Sequence, residues 1–292
     1  MADKKHLIVL DSNSIIHRAF HALPPLTTKK GELVGAVYGF LLVFLKAIKE
    51  FKPDFVVACF DVPGPTFRHE KYKEYKAKRP PAPGELYQQI PKVKEVLREF
   101  NVMICEKEGF EADDLIGTIS KHAPKKQALP ELETIVISGD SDNLQLIDAK
   151  TKVYTLRKGV KDTVLYDKRL VAQKYQGLTP KQLIDYRALR GDPTDNIPGV
   201  PGIGEKTAVE LVRRFGNIED LYQNLDGVKP KLKELLIQNK EQAFFSKDLT
   251  AIYRDVPIDF NLKDCQWSNY NRAKATQSLK KLEFYSLISR LP

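Results

Sequence analysis

Four short apolar runs, LIVL at 7–10, FVVACF at 55–60, NVMICE at 101–106 and TIVIS at 134–138, alternate with stretches of helical periodicity. The runs are rich in β-branched residues and short enough to be fully buried strands, and the helical stretches GAVYGFLLVFLKAIKEF, ELYQQIPKVKEVLREF and the one after EADD separate them. That alternation predicts right-handed βαβ crossovers in one parallel, twisted sheet with helices on both faces. Residues 151–167 read as a further strand pair around a Gly-containing turn that extends the sheet edge. Beyond them the pattern turns helical: KRLVAQKYQ, PKQLIDYRALR, EKTAVELVRRFG, IEDLYQNL, PKLKELLIQNKEQAFFSKDLTAI and NRAKATQSLKKLEF. The predicted class is α/β, with a core at 1–167 and a helical region at 168–292. The longest uncharged stretch, Leu33 to Leu45, is shorter than the roughly 20 residues that span a bilayer and reads as a buried crossover helix.

The polar positions that follow the strands are unusual. Asp11 follows LIVL, Asp61 follows FVVACF, and Asp140 and Asp142 follow TIVIS. Parallel strands bring their carboxyl ends to one edge, so these acids should converge there. Glu111, Asp113 and Asp114 in GFEADD and Asp192 and Asp195 in GDPTDN add to the cluster. Taken singly, an acid after a strand is often a turn or helix N-cap residue, and Asp113 with Asp114 suits the first turn of a helix. Recurrence at five places favours divalent cations such as Mg²⁺ or Mn²⁺, since no His or Cys cluster competes for the role.

Composition sharpens this picture at two points. Across 292 residues the formal net charge is +9, so excess lysine and arginine lie away from the acids and a polyanionic partner is expected. Cys59, Cys105 and Cys265 lack metal-ligand spacing and read as buried thiols of a reducing compartment. The N-terminal MADKKHLIVLD has no signal-peptide pattern, so a cytoplasmic location without membrane attachment is expected.

Two segments point to nucleic acid. In RHEKYKEYKAKRPP, from Arg68 to Pro81, a helix would place Arg68, Tyr72, Tyr75, Lys76 and Arg79 on one face, with cations for phosphates and rings for bases. The bland alternative is a solvated charged helix anchored by its tyrosines. In PGVPGIGEKTAVELVRRFG, Gly199, Gly202 and Gly204 let backbone amides approach an anion, and Lys206 and Thr207 complete a phosphate seat at a helix start. Gly199 and Gly204 have Walker A spacing, but Glu205 separates Gly204 from Lys206 and the preceding segment is helical, which excludes a P-loop.

The motifs FDVPGPTFRHEKYKEYKAKRP, GFEADD, SGDSDNLQL, DYRALRGDPTDNIPGVPGIGEKTA and KKLEFYSLI occur in order along the whole chain. With them the chain resembles the 5′ nuclease domains of bacterial DNA polymerase I, within the flap endonuclease and 5′ to 3′ exonuclease superfamily. The resemblance implies a PIN-like core, a helical arch over about 68–90 and a helix-hairpin-helix element over about 181–215 that, in relatives, also holds a potassium ion. It implies that Asp11, Asp61, Glu111, Asp113, Asp114 and Asp140 surround one divalent ion and that Asp142, Asp192 and Asp195 serve a second. Arg18, Arg68, Tyr75, Lys76 and Arg79 match positions handling the scissile phosphate and the threaded 5′ strand. The implied activity is metal-dependent cleavage of DNA at 5′ ends and 5′ flaps in primer removal and repair, by a monomer, with a polymerase portion linked or associated. One departure is KHAPKKQALPELET, a longer, proline-interrupted link. The rivals are a noncatalytic DNA-binding module, which would be expected to lack the acids, a PIN-type ribonuclease, which is usually smaller and without the hairpin, and a haloacid-dehalogenase phosphatase, which would need Asp where Asn13 stands.

Overall fold

The computed structural model describes residues 4–126, 129, 131–267 and 270–292. The N-terminal part runs β1 (His6–Asp11), α1 (Ser12–Ala22), α2 (Gly35–Phe51), β2 (Phe55–Cys59), α3 (Phe67–Lys71), α4 (Gly84–Tyr87), α5 (Ile90–Glu99), β3 (Met103–Cys105), α6 (Ala112–Lys126), β4 (Glu133–Ser138), β5 (Thr151–Leu156) and β6 (Thr163–Tyr166). The six strands form one sheet in the order β3-β2-β1-β4-β5-β6. All neighbours are parallel except β6, which returns antiparallel to β5 at the edge, as the 151–167 pattern predicts.

Strand alternation sorts the core into two layers. Leu7, Val9, Val57, Cys59, Val136 and Val153 point to one face, and Ile8, Leu10, Val56, Ala58, Ile135 and Ile137 to the other. The first face is covered by α6 and by the helical region, whose Val171, Leu183, Leu189 and Leu211 belong to the same apolar cluster. Helices α1, α2 and α5 cover the second, together with Ala275, Leu279 and Leu287 from the chain's last two helices and Phe284 between them. All three cysteines are buried and unpaired in disulfides.

That helical region comprises α7 (Lys168–Lys174), α8 (Gln182–Arg190), α9 (Glu205–Phe215), α10 (Ile218–Gln223), α11 (Pro230–Gln238), α12 (Lys240–Thr250), α13 (Arg272–Lys281) and α14 (Tyr285–Ile288). The continuous helix expected from PKLKELLIQNKEQAFFSKDLTAI is two, because Asn239 leaves helical geometry (φ −114°, ψ 22°) and its side chain donates to the Leu235 carbonyl at 2.9 Å. The link at 121–134 lies partly outside the described residues. No helix among those described is long and apolar enough to cross a membrane.

Sheet order fixes where the site can form. From β1 the chain builds outward through β2 and β3, then crosses back so that β4 adds on the other side of β1. Crossovers leaving β1 and β4 in opposite directions open a crevice beyond their carboxyl ends. Asp11 and the Ser138–Gly139–Asp140 turn stand at that crevice.

Candidate active site

The crevice is a cleft of about 1730 Å³ lined by seven carboxylates: Asp11, Asp61, Glu111, Asp113, Asp140, Asp142 and Asp195. Each arrives for a local reason. Asp11 ends β1 and caps α1, accepting from the Ser14 amide at 3.3 Å. Asp61, just past β2, accepts from the Ala112 amide at 2.8 Å, which ties it to the start of α6. Glu111 precedes α6, and Asp113 belongs to its first turn. Asp140 and Asp142 share a tight turn after β4 in which the Asp142 amide donates to Asp140 Oδ1 at 2.9 Å. Asp195 comes from the loop between α8 and α9.

Burial, with help from neighbouring acids, raises Asp11, Asp61, Asp113 and Asp142. Burial pushes Asp11 up to about 7, with Asp140 and Asp61 adding to the shift against the lowering effect of the Ser138 hydroxyl. Burial, then Asp11, Asp140 and Asp142, holds Asp113 well above the usual carboxylate range. Asp142 is raised by burial and Asp140 against the pull of Arg187, and Asp61 is raised chiefly by its removal from water. Glu111 shifts the other way: burial opposes its ionisation, but Lys76 and Arg68 outweigh that and hold it below its ordinary value.

Surplus negative charge on carboxylate oxygens is the donor set that hard divalent ions take. Asn143 adds a buried Oδ1 with no hydrogen-bond partner, on a side chain whose amide donates to Asp113 Oδ1 at 2.8 Å. In chemistry the residues fit such ions. Among the described residues, however, no three acidic, histidine or cysteine side chains form a ready-made cage. Lys76, Arg79 and Arg187 are bonded between them, to Glu111, Asp195 and Asp142 respectively.

The segment after Asp61 departs from the expected helix. Helix α3 ends at Lys71, Tyr72 is extended (φ −144°, ψ 100°), and residues 73–78 are turns, with Lys76 at φ 58°. No long helical arch is present among the described residues 68–90. Ion pairing overrides helix propensity here, because Arg68 and Tyr75 turn inward instead of sharing an outer face with Tyr72. Arg68 is 2 % exposed, and its guanidinium forms a two-point pair with Asp114 at 2.8 Å, with further bonds to Glu111 (3.1 Å) and the Leu249 and Ala251 carbonyls (2.9 Å each). Its donors are taken, so it has none to offer a DNA phosphate. Tyr75 is likewise buried, its hydroxyl shared between Glu111 Oε2 and Asp195 Oδ2 at 3.1 Å each. Tyr72 packs edge-on against Phe245.

Two expected ligands stand outside the cleft lining. Asp114 is fully buried and accepts from Arg68 and from the Tyr253 and Glu111 amides, which makes it a structural anion. Asp192 closes a turn by accepting the Thr194 amide at 2.9 Å, and it acts on Asp142 and Arg187 only through its charge. On the cationic side Arg18 lines the cleft and donates to the Gly139 carbonyl at 2.9 Å, beside Lys76 and Arg79.

Several participants escaped the sequence reading. Helix α1, unrecognised in SNSIIHRAFHA, supplies Asn13, which accepts the Asp61 amide, and Ser14, which accepts the Gly139 amide at 2.6 Å. Ser138 donates to Asp11 Oδ2. Arg187, on α8, pairs with Asp142 and donates to Ser141 Oγ at 3.1 Å, joining the helical region to the acidic turn. A buried arginine on the apolar face of PKQLIDYRALR was the available signal, since a charge there needs a partner.

The hairpin follows Asp195 on the same connection between α8 and α9, and its glycines do not line the cleft. Gly202, Gly204 and Lys206 are exposed and Thr207 is half-buried, at an α9 N-terminus that has no side-chain cap. Gly199 does not belong with them. It is buried at φ 63°, a Cβ there would sit 2.2 Å from the Gly191 nitrogen, and its amide donates to Ser246 Oγ at 3.1 Å. It permits a close backbone approach and has no free amide for a phosphate.

Comparison with known proteins agrees with this architecture. The family descriptions "5'-3' exonuclease, N-terminal resolvase-like domain" and "5'-3' exonuclease, C-terminal SAM fold" match residues 6–176 and 178–273. DNA polymerase I of Bacillus subtilis is 42% identical over 292 residues, covering 100% of this chain and 33% of the relative, and that of Bacillus caldotenax is 43% identical over 289 residues, 99% and 32%. The chain thus spans about a third of the length of these curated relatives. In fold it is similar to the T5 D15 protein co-crystallized with metal ions (TM-score 0.70, 19% identity, 96% of this chain and 99% of that one). It is also similar to the catalytic core of Rad2 in complex with DNA substrate (TM-score 0.63, 18% identity, 99% and 93%). Matched along nearly its whole length by both halves of that family's description, the chain belongs to the 5′-3′ exonuclease family and corresponds to the 5′ nuclease part of DNA polymerase I.

Proposed function

We propose that this cleft hydrolyses DNA phosphodiester bonds at 5′ ends and at 5′ flaps, with two divalent ions, Mg²⁺ or Mn²⁺, as cofactors. The observation that carries the reading is the meeting of seven carboxylates with Arg18, Lys76 and Arg79 in one cleft at the sheet's switch point. Asp11, Asp61, Glu111, Asp113 and Asp140 are the ligand candidates for one ion, and Asp142 and Asp195 for the other. Bound there, such ions supply Lewis-acid activation of water and stabilisation of the leaving 3′ oxygen.

The chain's own groups do the rest. Arg18, Lys76 and Arg79 neutralise charge building on the phosphoryl oxygens, and removing one such contact typically costs about 3 kcal/mol of transition-state stabilisation. Arg187 holds the Asp142 turn in place, and Asn143 orients Asp113. Gly202, Gly204, Lys206 and Thr207 grip duplex phosphates at the start of α9, where amides and helix dipole favour an anion. A potassium ion at this hairpin is part of the proposal. Contacts to phosphate fix position and carry no base sequence, so the enzyme reads shape. On this reading the protein works as a monomer in primer removal and repair, linked to or associated with a polymerase.

The deciding experiment is cleavage of a 5′-labelled flap duplex with Mg²⁺ or EDTA, beside Asp140→Asn and a matched binding assay. Cleavage near the junction that requires the metal and vanishes in the variant, with binding retained, is the expected result. Tight junction binding with no cleavage under any divalent ion would refute hydrolysis and favour a recognition module.

A further inference from the structure

The cations beside the carboxylates sit on a segment tied to Glu111 and to the Thr194–Asn196 loop. The Lys76 amide donates to the Asp195 carbonyl at 2.9 Å, while Lys76 Nζ pairs with Glu111 and lies 3.9 Å from Asp195 Oδ2. Arg79 pairs with Asp195 and donates through Nε to the Thr194 carbonyl at 3.3 Å. Tyr75 bridges Glu111 and Asp195, and Asn196 Nδ2 donates to the Glu74 carbonyl at 2.8 Å. Apart from Tyr75 the segment contributes no buried residue from 72 to 81. Beyond the packing of Tyr72 and Tyr75 on Ile197, Leu249 and Phe245, it is held by charge and hydrogen bonds, and a region with so little apolar packing is one of low local stability. Lys76 also holds φ 58°, a conformation that persists in a non-glycine residue when its surroundings over-determine it.

From this geometry we propose that Lys76 and Arg79 form a latch that divalent cations displace: they are internal counter-ions of Glu111 and Asp195, and cation loading and release of residues 72–81 are one linked event. The inference rests on reading these carboxylates as cation ligands. An oxygen lone pair directed at an ammonium or guanidinium is not available to a metal ion, so the two compete for the same atoms. Linkage then runs both ways: cations that bind the released form better must open the segment, and a loosened segment must bind cations more tightly. Release leaves Lys76 and Arg79 without anionic partners, and the phosphates of an incoming 5′ strand replace them. Four charged partners are exchanged with no net charge left uncompensated. A protein without cations would thus keep its phosphate-binding groups closed against DNA.

The test needs no DNA. Mn²⁺ is titrated, by calorimetry or by electron paramagnetic resonance of free Mn²⁺, into the wild-type protein, Lys76→Met, Arg79→Met and Asn196→Gly. The last removes the bond to Glu74 and suits the φ of 56° at that position. In parallel, trypsin cleavage after Lys78 is timed with and without Mg²⁺. The expected result is Mn²⁺ affinity about ten-fold tighter in the Lys76 and Arg79 variants, a smaller shift of the same sign in Asn196→Gly, and faster cleavage after Lys78 when Mg²⁺ is present. Unchanged or weaker Mn²⁺ affinity in all three variants, with circular dichroism intact, or trypsin cleavage indifferent to Mg²⁺, would overturn the latch. If the wild-type protein and all variants fail to bind Mn²⁺, the cation reading of the site falls, and the latch with it.

Discussion

On an exposed stripe, Arg68→Met would weaken DNA binding and leave stability within about 0.5 kcal/mol, as surface changes do. The structure predicts the reverse. The substitution removes five hydrogen bonds and leaves Asp114, fully buried, with only the Tyr253 and Glu111 amides as donors. The stranded carboxylate dominates the cost, and breaking a buried pair in this way typically destabilises by roughly 3–5 kcal/mol. Adding Asp114→Asn removes the stranded charge, so the double variant should recover roughly 2 kcal/mol of that loss as coupling energy. The assay is urea unfolding at pH 7 in EDTA for the wild type, both single variants and the double variant, followed by Trp267 fluorescence. A loss below about 1 kcal/mol for Arg68→Met, or a double variant no more stable than the single, would refute the buried-pair account.

Further outcomes follow from the same geometry. Lys76→Ala should slow flap cleavage by about 100-fold or more, and undiminished cleavage would remove Lys76 from the phosphate-handling role. Lys206→Ala should lower the salt dependence of duplex binding by about one unit of slope, so an unchanged slope would count against the hairpin as the duplex grip. Gly199→Ala places a Cβ 2.2 Å from the Gly191 nitrogen at φ 63° and should destabilise by about 2 kcal/mol or more, read by urea unfolding. Asp11, raised to about 7, is protonated below that pH, so protons then compete with cations: Mn²⁺ affinity should fall as pH drops below about 7 and level off above it. A profile flat from pH 5.5 to 8 would contradict the crowding of Asp11.

The sheet and its acidic edge were legible because strand-end acids obey a local rule: a buried β-branched run stops where a charged residue must reach the edge. The β5–β6 pair, the hairpin between α8 and α9 and most helices followed from period and punctuation in the same way. Three things were not legible. Helix α1 was hidden because SNSIIHRAFHA follows its strand without a break, Asp11 serving as both strand end and cap. The segment after α3 looked helical by spacing, yet the positions of Arg68 and Tyr75 are decided by Glu111, Asp114 and Asp195, from 36 to 120 residues away. Asp114 and Gly199 matched their motifs in identity, but burial had already given their polar groups to other partners.

The two-sided burial of the sheet has a consequence for how the chain acquires its structure during synthesis. One face is completed by residues from 171 onward and the other by Ala275, Leu279, Phe284, Leu287 and Leu291. The β1–β4 layer, with α1, α2, α5 and α6, therefore emerges from the ribosome before the rest of its covering surface exists. Chains interrupted near residue 273, where the second family description ends, would leave the parts of α2 and α5 that the last two helices and Phe284 cover, such as Tyr38, bare and open to aggregation. Acquisition of the nuclease fold is thus a late event, tied to release of the last two helices and not to completion of the strands that carry the acids.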